Sequence, residues 1–282
     1  MPAPERPLRR SRCLPLLLAA LLLCPAFLSL PAFTQSPDPV GLTRRAVDRM
    51  DDAKTAAHRF TDFDLAHNQN RNEKGKLYAD SLDLYEDTWI ADLPFKRLVA
   101  VNGDPLSGKD LAREQKRYDD AVHDRIALDD SARARLVHER FMDAGLDLDA
   151  VLTPTYRLQA LRQETVAGRN ALVIDAIPVQ ATASRPAAPI HYTLWISTED
   201  PALLRFTFEA TSNTPRLLQG SHGEKDFTLV EGTPLPSHSR MHGLVLVGQE
   251  TITVDSEHTY SKYRRFTATT RMLPASDIPA GP

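Results

Sequence analysis

The chain has 282 residues, a formal charge of −3, 25% charged residues and 42% hydrophobic ones. That is enough apolar material to bury a core, which excludes a disordered chain, and the mildly acidic balance excludes a broad nucleic-acid surface. Both cysteines, Cys13 and Cys24, fall within the first 32 residues. A chain cut after them has no disulfide framework, thiol catalyst or cysteine-held metal.

Residues 1–32 read as a secretory signal peptide. "MPAPERPLRRSR" carries four arginines and one glutamate, the apolar "CLPLLLAALLLCPAFLSLPAF" follows, and Ala32 offers a small residue for cleavage. A retained membrane anchor would need about 20 uninterrupted apolar residues, and Pro15, Pro25 and Pro31 break this region. Losing four arginines and one glutamate takes the charge from −3 to about −6. The expected location is periplasmic or secreted. Residues 33–40 read as a linker, 41–267 as one domain, and 268–282 as a Pro-rich tail.

"LTRRAVDRMDDAKTAA" predicts a first helix, with Leu42, Ala46, Val47, Met50 and Ala53 at helical spacing. "HRFTDFDLAH" and "KLYADSLDLYEDTW" are strand-like and joined by the polar "NQNRNEKG", and "FKRLVAV" is a third strand. A helical insertion is expected at about 107–145. Its first helix has the stripe Leu111, Tyr118, Val122 and Ile126, its second Leu136, Val137, Phe141 and Ala144.

Between strand and helix stands "GDPLSGKD", a phosphate-binding loop but for its final hydroxyl residue. Its chemistry argues against nucleotide. Pro105 has no N–H to offer a phosphate, and Asp110 sets a carboxylate where Mg²⁺ would need a hydroxyl. The stretch reads instead as an Asn102-Gly103 turn followed by a capping box, with Ser107 as cap and Asp110 three residues on.

From Tyr156 the period is two. "YRLQALRQETV" and "NALVIDAIPV" flank a hairpin at Gly168-Arg169, and "PVQATASRPAAP" is a loop. "IHYTLWIS" sets Ile190, Tyr192, Leu194 and Ile196 on one face. "LLRFTFEA" sets Leu204, Phe206 and Phe208 on one face and Arg205, Thr207 and Glu209 on the other. "KDFTLVEG", "SRMHGLVLV" and "QETITVDSEHTYSKY" continue the series. So many alternating runs predict an antiparallel sheet with one buried face, curled or covered by the helices.

Chemistry-bearing motifs are sparse. His238 and His242 on a strand would stand roughly 13 Å apart, too far for one ion. His191 and His222 fall in or near loops, where a surface histidine is the default. "DLYED" lacks the glycine and spaced ligands of a calcium loop. The expectation is a protein that is not an enzyme, with no cofactor, metal, nucleotide or nucleic acid.

"FKRLVAVNGDPLSGKDLAREQKRYDDA", "YTLWISTEDPALLRFTFEA" and the closing "YSKYRRF" carry a resemblance, at Arg97, Leu98, Asn102-Gly103, Pro105-Leu106, Leu194-Trp195-Ile196, Arg205, Tyr260, Tyr263 and Phe266. Over roughly 41–267 the chain resembles the LolA/LolB-like superfamily of bacterial envelope proteins. The resemblance implies an α+β, mainly antiparallel half-open barrel with helices over its mouth. It also implies a carrier of lipid, an acyl chain or a lipoprotein, or else a module that binds another envelope protein without a lipid ligand. A curled sheet with an apolar inner face makes a concave pocket. Its expected lining is Leu194, Ile196, Leu204, Phe206 and Phe208 with Leu244, Leu246, Ile252 and Val254.

Overall fold

The computed structural model describes residues 38–91, 93–141, 148–180, 188–214 and 217–266. The expected signal peptide, most of the linker, the end of the helical insertion and the Pro-rich tail lie outside them. Eleven strands form one antiparallel sheet. They are β1 (Phe60–Arg71), β2 (Leu77–Ile90), β3 (Leu93–Val101), β4 (Asp104–Pro105), β5 (Tyr156–Val166) and β6 (Arg169–Pro178), then β7 (Ile190–Ser197), β8 (Leu203–Ala210), β9 (His222–Val230), β10 (Thr233–Val247) and β11 (Glu250–Arg265). Among the described residues three α-helices accompany them: α1 (Pro39–Ala56), α2 (Gly108–Ile126) and α3 (Asp130–Phe141).

The strand order is β4-β3-β2-β1-β11-β10-β9-β8-β7-β6-β5. The last strand therefore pairs with the first, and β4 and β5 are left as edges. Register shifts fall between Thr61 and Phe63, Leu84 and Tyr85, Ala160 and Arg162, and Pro236 and His238. Such bulges bend the strands and raise their twist, which curls the sheet without closing it.

α1 covers the inner face. Pro39 opens it two residues inside the expected linker, and the Asp38 carboxylate accepts the Val40 and Gly41 amides, each at 3.0 Å. Leu42 and Ala46 then join one buried cluster with Leu172, Ile174, Tyr192, Leu194, Ile196, Phe206, Phe208 and Phe227. Each such large side chain contributes about 1.5–3 kcal/mol by leaving water. Leu204 departs from the expected alternation. A register shift between Trp195 and Ile196 sets Leu203 opposite Ile196, so Leu203 turns inward. Leu204 packs outward with Ala171, Val173 and Trp195.

α2 meets the sheet through charge. β4 pairs only with Ala100 and Val101 of β3, so the earlier part of β3 presents its backbone at an edge. Charged side chains of the helices take up those groups. Glu114 accepts the Leu98 amide at 3.0 Å, Arg117 donates to the Lys96 carbonyl, and Arg125 donates to the carbonyls of Pro94 at 2.9 Å and Leu93 at 3.1 Å. Arg133 of α3 donates to the Ala91 carbonyl at 2.8 Å. Pro94 suits an edge because it has no N–H to satisfy. The expected apolar stripe does not make the contact: Leu111 and Ile126 are 43% and 66% exposed, whereas Glu114 is buried. Tyr118 of that stripe does pack, edge-on against Phe95 at 5.6 Å.

The capping box is also absent. Ser107 is the cap residue, but its side chain makes no cap bond, and Asp110 pairs with Arg113. Asn102 and Gly103 do form the turn, at φ 52° and 85°, with Val101 facing Asp104 across it. Two successive left-handed residues are the geometry of a tight hairpin, and they link β3 to β4 rather than cradling phosphate.

These contacts predict a sharp contrast in urea denaturation. Asp38→Ala should cost about 1 kcal/mol through its lost cap, and Ser107→Ala less than about 0.5 kcal/mol. Glu114→Ala should cost about 2 kcal/mol, because it takes the acceptor from the part-buried Leu98 amide and removes the ion pair with Arg117.

Candidate functional site

The nine residues expected to line a pocket do not share a face. Leu194, Ile196, Phe206 and Phe208 lie in the buried inner cluster against α1. Ile252 and Val254 lie on the inner face too and are half-buried, by their alternation with Ser256 opposite Met241. Leu204 is on the outer face, in its own small cluster. Leu244 and Leu246 follow the parity of His242 and so also point outward, with Leu246 60% exposed at the hairpin end.

A cavity of about 890 Å³ opens on that outer face, and sheet register builds it. Two rows of side chains run across the strands from β7 to β1. The first is His191, Glu209, His222, His242, Asp255 and Gln69, each opposite the next in its ladder. The second, two residues along each strand, is Thr193, Thr207, Glu224, Arg240, Glu257 and His67. Between them the backbone of Phe208, Gly223, Met241 and Ser256 forms the floor. Two-residue spacing sets the rows about 7 Å apart, and six strands give a length of about 24 Å. The site is therefore a groove that crosses the strands.

Gly223 is needed in that floor. A Cβ there would meet the Arg240 carbonyl oxygen at 2.4 Å and Phe208 Cε1 at 2.8 Å. β8, β9 and β10 thus approach one another more closely at this point than any side chain would permit.

Four carboxylates and one guanidinium line the walls, a formal −3 with the histidines neutral. Arg240 pairs with Glu224 at 2.5 Å, which raises its pKa through that hydrogen bond first. His242 Nδ1 meets Asp255 at 2.7 Å, His191 meets Asp175 at 2.6 Å and His67 meets Asp80 at 2.9 Å. His238, just beyond the second row, binds Glu257 at 2.9 Å and holds that carboxyl below its ordinary range. The His222 and His242 rings lie 5.0 Å apart and 31° from parallel. Carboxylates and imidazoles along one trough present acceptors for the N–H groups of a ligand. His191 and His222, expected in or near loops, stand at the starts of β7 and β9. Their positions 31 residues apart gave no sequence signal, because only the ladders bring them together.

The inner face carries a second polar centre, on β11, β1, β2 and β3. Asp64 is fully buried, accepts His258 Nδ1 at 3.0 Å on both oxygens and is paired with Lys96. Lys96 also lies 4.8 Å over the Tyr85 ring. Burial pushes the Asp64 carboxyl up, but the His258 bond and the Lys96 charge outweigh it and hold it low. Burial, then Asp83, pushes the Tyr85 phenol up to about 12. On the opposite face Glu86 is buried too, between Arg97 at 3.3 Å and Arg264 at 2.6 Å. Within "DLYED", Glu86 is held in ion pairs and Asp83 accepts the Tyr85 hydroxyl at 3.4 Å.

Fold and groove together define an open antiparallel half-barrel with a polar cleft across its outer face. No family model matches the chain, and no curated protein matches it in sequence. Among solved structures it is similar to a putative outer membrane lipoprotein-sorting protein domain from Vibrio parahaemolyticus, at 10% identity and a TM-score of 0.35, covering 83% of this chain and 96% of that one. A DUF1329 family protein from Desulfovibrio piger is similar at 11% identity and a TM-score of 0.33, covering 83% and 95%. A LolA superfamily protein from Nitrosomonas europaea is similar at 12% identity and a TM-score of 0.27, covering 82% and 96%.

The depressed Asp64 carboxyl sets a pH signature. Its contribution is present above the unfolded carboxyl value and lost as pH falls through the lower folded value. Asp64→Asn should therefore cost about 2 kcal/mol in urea denaturation at neutral pH, and the gap to wild type should close below about pH 4. A gap that stays constant into acid would show that the charge of Asp64 contributes nothing.

Proposed function

We propose that the protein is an exported, non-catalytic binding protein that holds a basic, extended polypeptide segment in the transverse groove. The observation that carries this reading is the contrast between the faces. The inner face at Leu194, Ile196, Phe206 and Phe208 is covered by α1, whereas the cavity on the opposite face is walled by carboxylates and histidines. An extended segment of about seven residues matches a trough of about 24 Å, and lysine or arginine side chains complement walls with excess carboxylate. Export rests on the basic head and apolar run at the N-terminus. Among the described residues no helix is long and apolar enough to cross a membrane.

A carrier of lipid or lipidated protein is the second reading. It is supported by Ile252 and Val254, which stay half-buried on the inner face beside Met241. Uptake of a fluorescent fatty acid that Val254→Glu abolishes, with no binding of basic peptide, would favour the carrier over the groove reading.

The groove reading is tested by fluorescence anisotropy with labelled oligo-arginine and oligo-glutamate peptides. Oligo-arginine should bind and oligo-glutamate should not. Paired reversal Glu224→Lys with Glu257→Lys should weaken the former by about tenfold or more, and added salt should weaken it as well. Indifference to both the peptide's charge and the wall's reversal would end this reading. N-terminal sequencing of envelope protein should begin near Phe33. An intact Met1 in a membrane fraction would mean a retained anchor.

A further inference from the structure

Exposed apolar side chains gather at one end of the sheet. Among the described residues, Leu77, Tyr78, Leu246 and Val247 are 37%, 54%, 60% and 57% exposed, half of all the large hydrophobic side chains that stand exposed. All four lie at the ends of two hairpins, β1–β2 and β10–β11. The strand order β2-β1-β11-β10 puts those hairpins side by side. Their turns touch, since the Thr251 amide donates to Glu73 Oε1 at 2.8 Å.

β10 is unusual at this end. A strand with one wet face alternates, as β10 does farther back at His238, Arg240 and His242. Its last four residues, Leu244, Val245, Leu246 and Val247, are apolar on both faces. A strand is apolar on both faces when both are covered, and here the outer two residues are exposed. The described residues of this chain do not supply that cover.

What covers both faces of a projecting hairpin is constrained. Four half-exposed side chains offer well under the roughly 800 Å² per partner that a stable protein interface buries. A second copy would also have to clasp the hairpin from two sides. A bilayer surface does so by admitting it edgewise. The neighbouring turn is suited to the headgroup level. Lys74 and Lys76 are exposed there, Tyr78 has an apolar ring with a polar tip, and Glu73 is turned to the Thr251 amide. Glu250 is the one other acid in the two turns.

We propose that the paired hairpin ends insert into the headgroup–acyl boundary of an anionic membrane, with Leu246 and Val247 as the apolar wedge and Lys74 and Lys76 on the lipid phosphates. This surface is separate from the groove and stands or falls without it.

Co-sedimentation of the full chain with vesicles tests the proposal, one set of phosphatidylglycerol with phosphatidylcholine and one of phosphatidylcholine alone. The anionic vesicles should bind more protein. The double change Leu246→Glu with Val247→Glu should lower that binding about tenfold or more, and Lys74→Glu with Lys76→Glu should abolish the preference for anionic lipid. Both sites are exposed, so the melting temperature should hold. Any apolar segment outside the described residues is common to all these chains, so the difference between them reads the hairpin ends alone. Val247→Trp supplies a local reading: its added emission should shift to the blue with anionic vesicles and be quenched by brominated lipid. Unchanged binding by the double glutamate variant, or emission from Val247→Trp that ignores vesicles, overturns the proposal. So does a wild-type dimer in solution that Val247→Glu dissolves, which would make a second copy the cover.

Discussion

Register across the five ladders from β7 to β1 is the constraint on which the site depends. Where these strands cross the site, inward residues such as Phe206 and Phe208 join the buried cluster, and the outward residues form the two groove rows. A one-residue slip in any ladder would exchange the sets. Glu209, Glu224 and Asp255 would then face the apolar cluster, while Phe206 and Phe208 would face water. Burying even one such carboxylate unpaired costs far more than a ladder hydrogen bond returns. Core and groove are thus two readings of the same alternation, and neither can be altered alone.

The edge of that sheet explains the composition of the helical insertion. Such a charged helix is ill suited to cover a sheet if it must bury an apolar stripe. α2 instead covers an edge, where the exposed groups are backbone amides and carbonyls. Glu114, Arg117 and Arg125 satisfy those groups directly, and Arg117 and Arg125 lie over the Phe95 ring at 4.4 Å and 5.2 Å. An open edge invites pairing with another chain, and side chains that occupy its hydrogen bonds remove the invitation. The charge of these residues is what a guarded edge requires.

Much of the fold was legible because period two is a local signal. The runs at Ile190–Ser197 and Leu203–Ala210 and the turn at Asn102-Gly103 each carry their own instruction. What failed was what local pattern cannot hold. The bulge that turns Leu204 outward depends on how β8 meets β7, and Leu203 would have to be paired with Ile196 before it could be foreseen. Ser107 has the residue type of a cap without the bond, because propensity names a candidate and geometry decides. The groove was least legible of all. His67, His191, His222 and His242 come from four strands, and the ladders alone make them neighbours. The one available signal was the outward set of β7 to β10, in which histidine and glutamate recur where a plain wet face would favour lysine and threonine.

The two proposed surfaces share β10, β11 and β1, which fixes their relation. Val247 lies five residues beyond His242 on one strand, a distance of about 17 Å. An interfacial element sinks about 5–10 Å into the headgroup–acyl boundary. With the hairpin ends inserted, the near wall of the groove therefore stays above the apolar region and at the border of the headgroups. Its carboxylates would be repelled by anionic lipid if drawn deeper, so the charge of the groove limits how far the wedge can enter. The same repulsion falls when a basic segment fills the trough and neutralises Glu209 and Asp255 of that wall. Occupancy of the groove and attachment to an anionic surface are then linked with a fixed sign: each favours the other, through charge and without any change of fold.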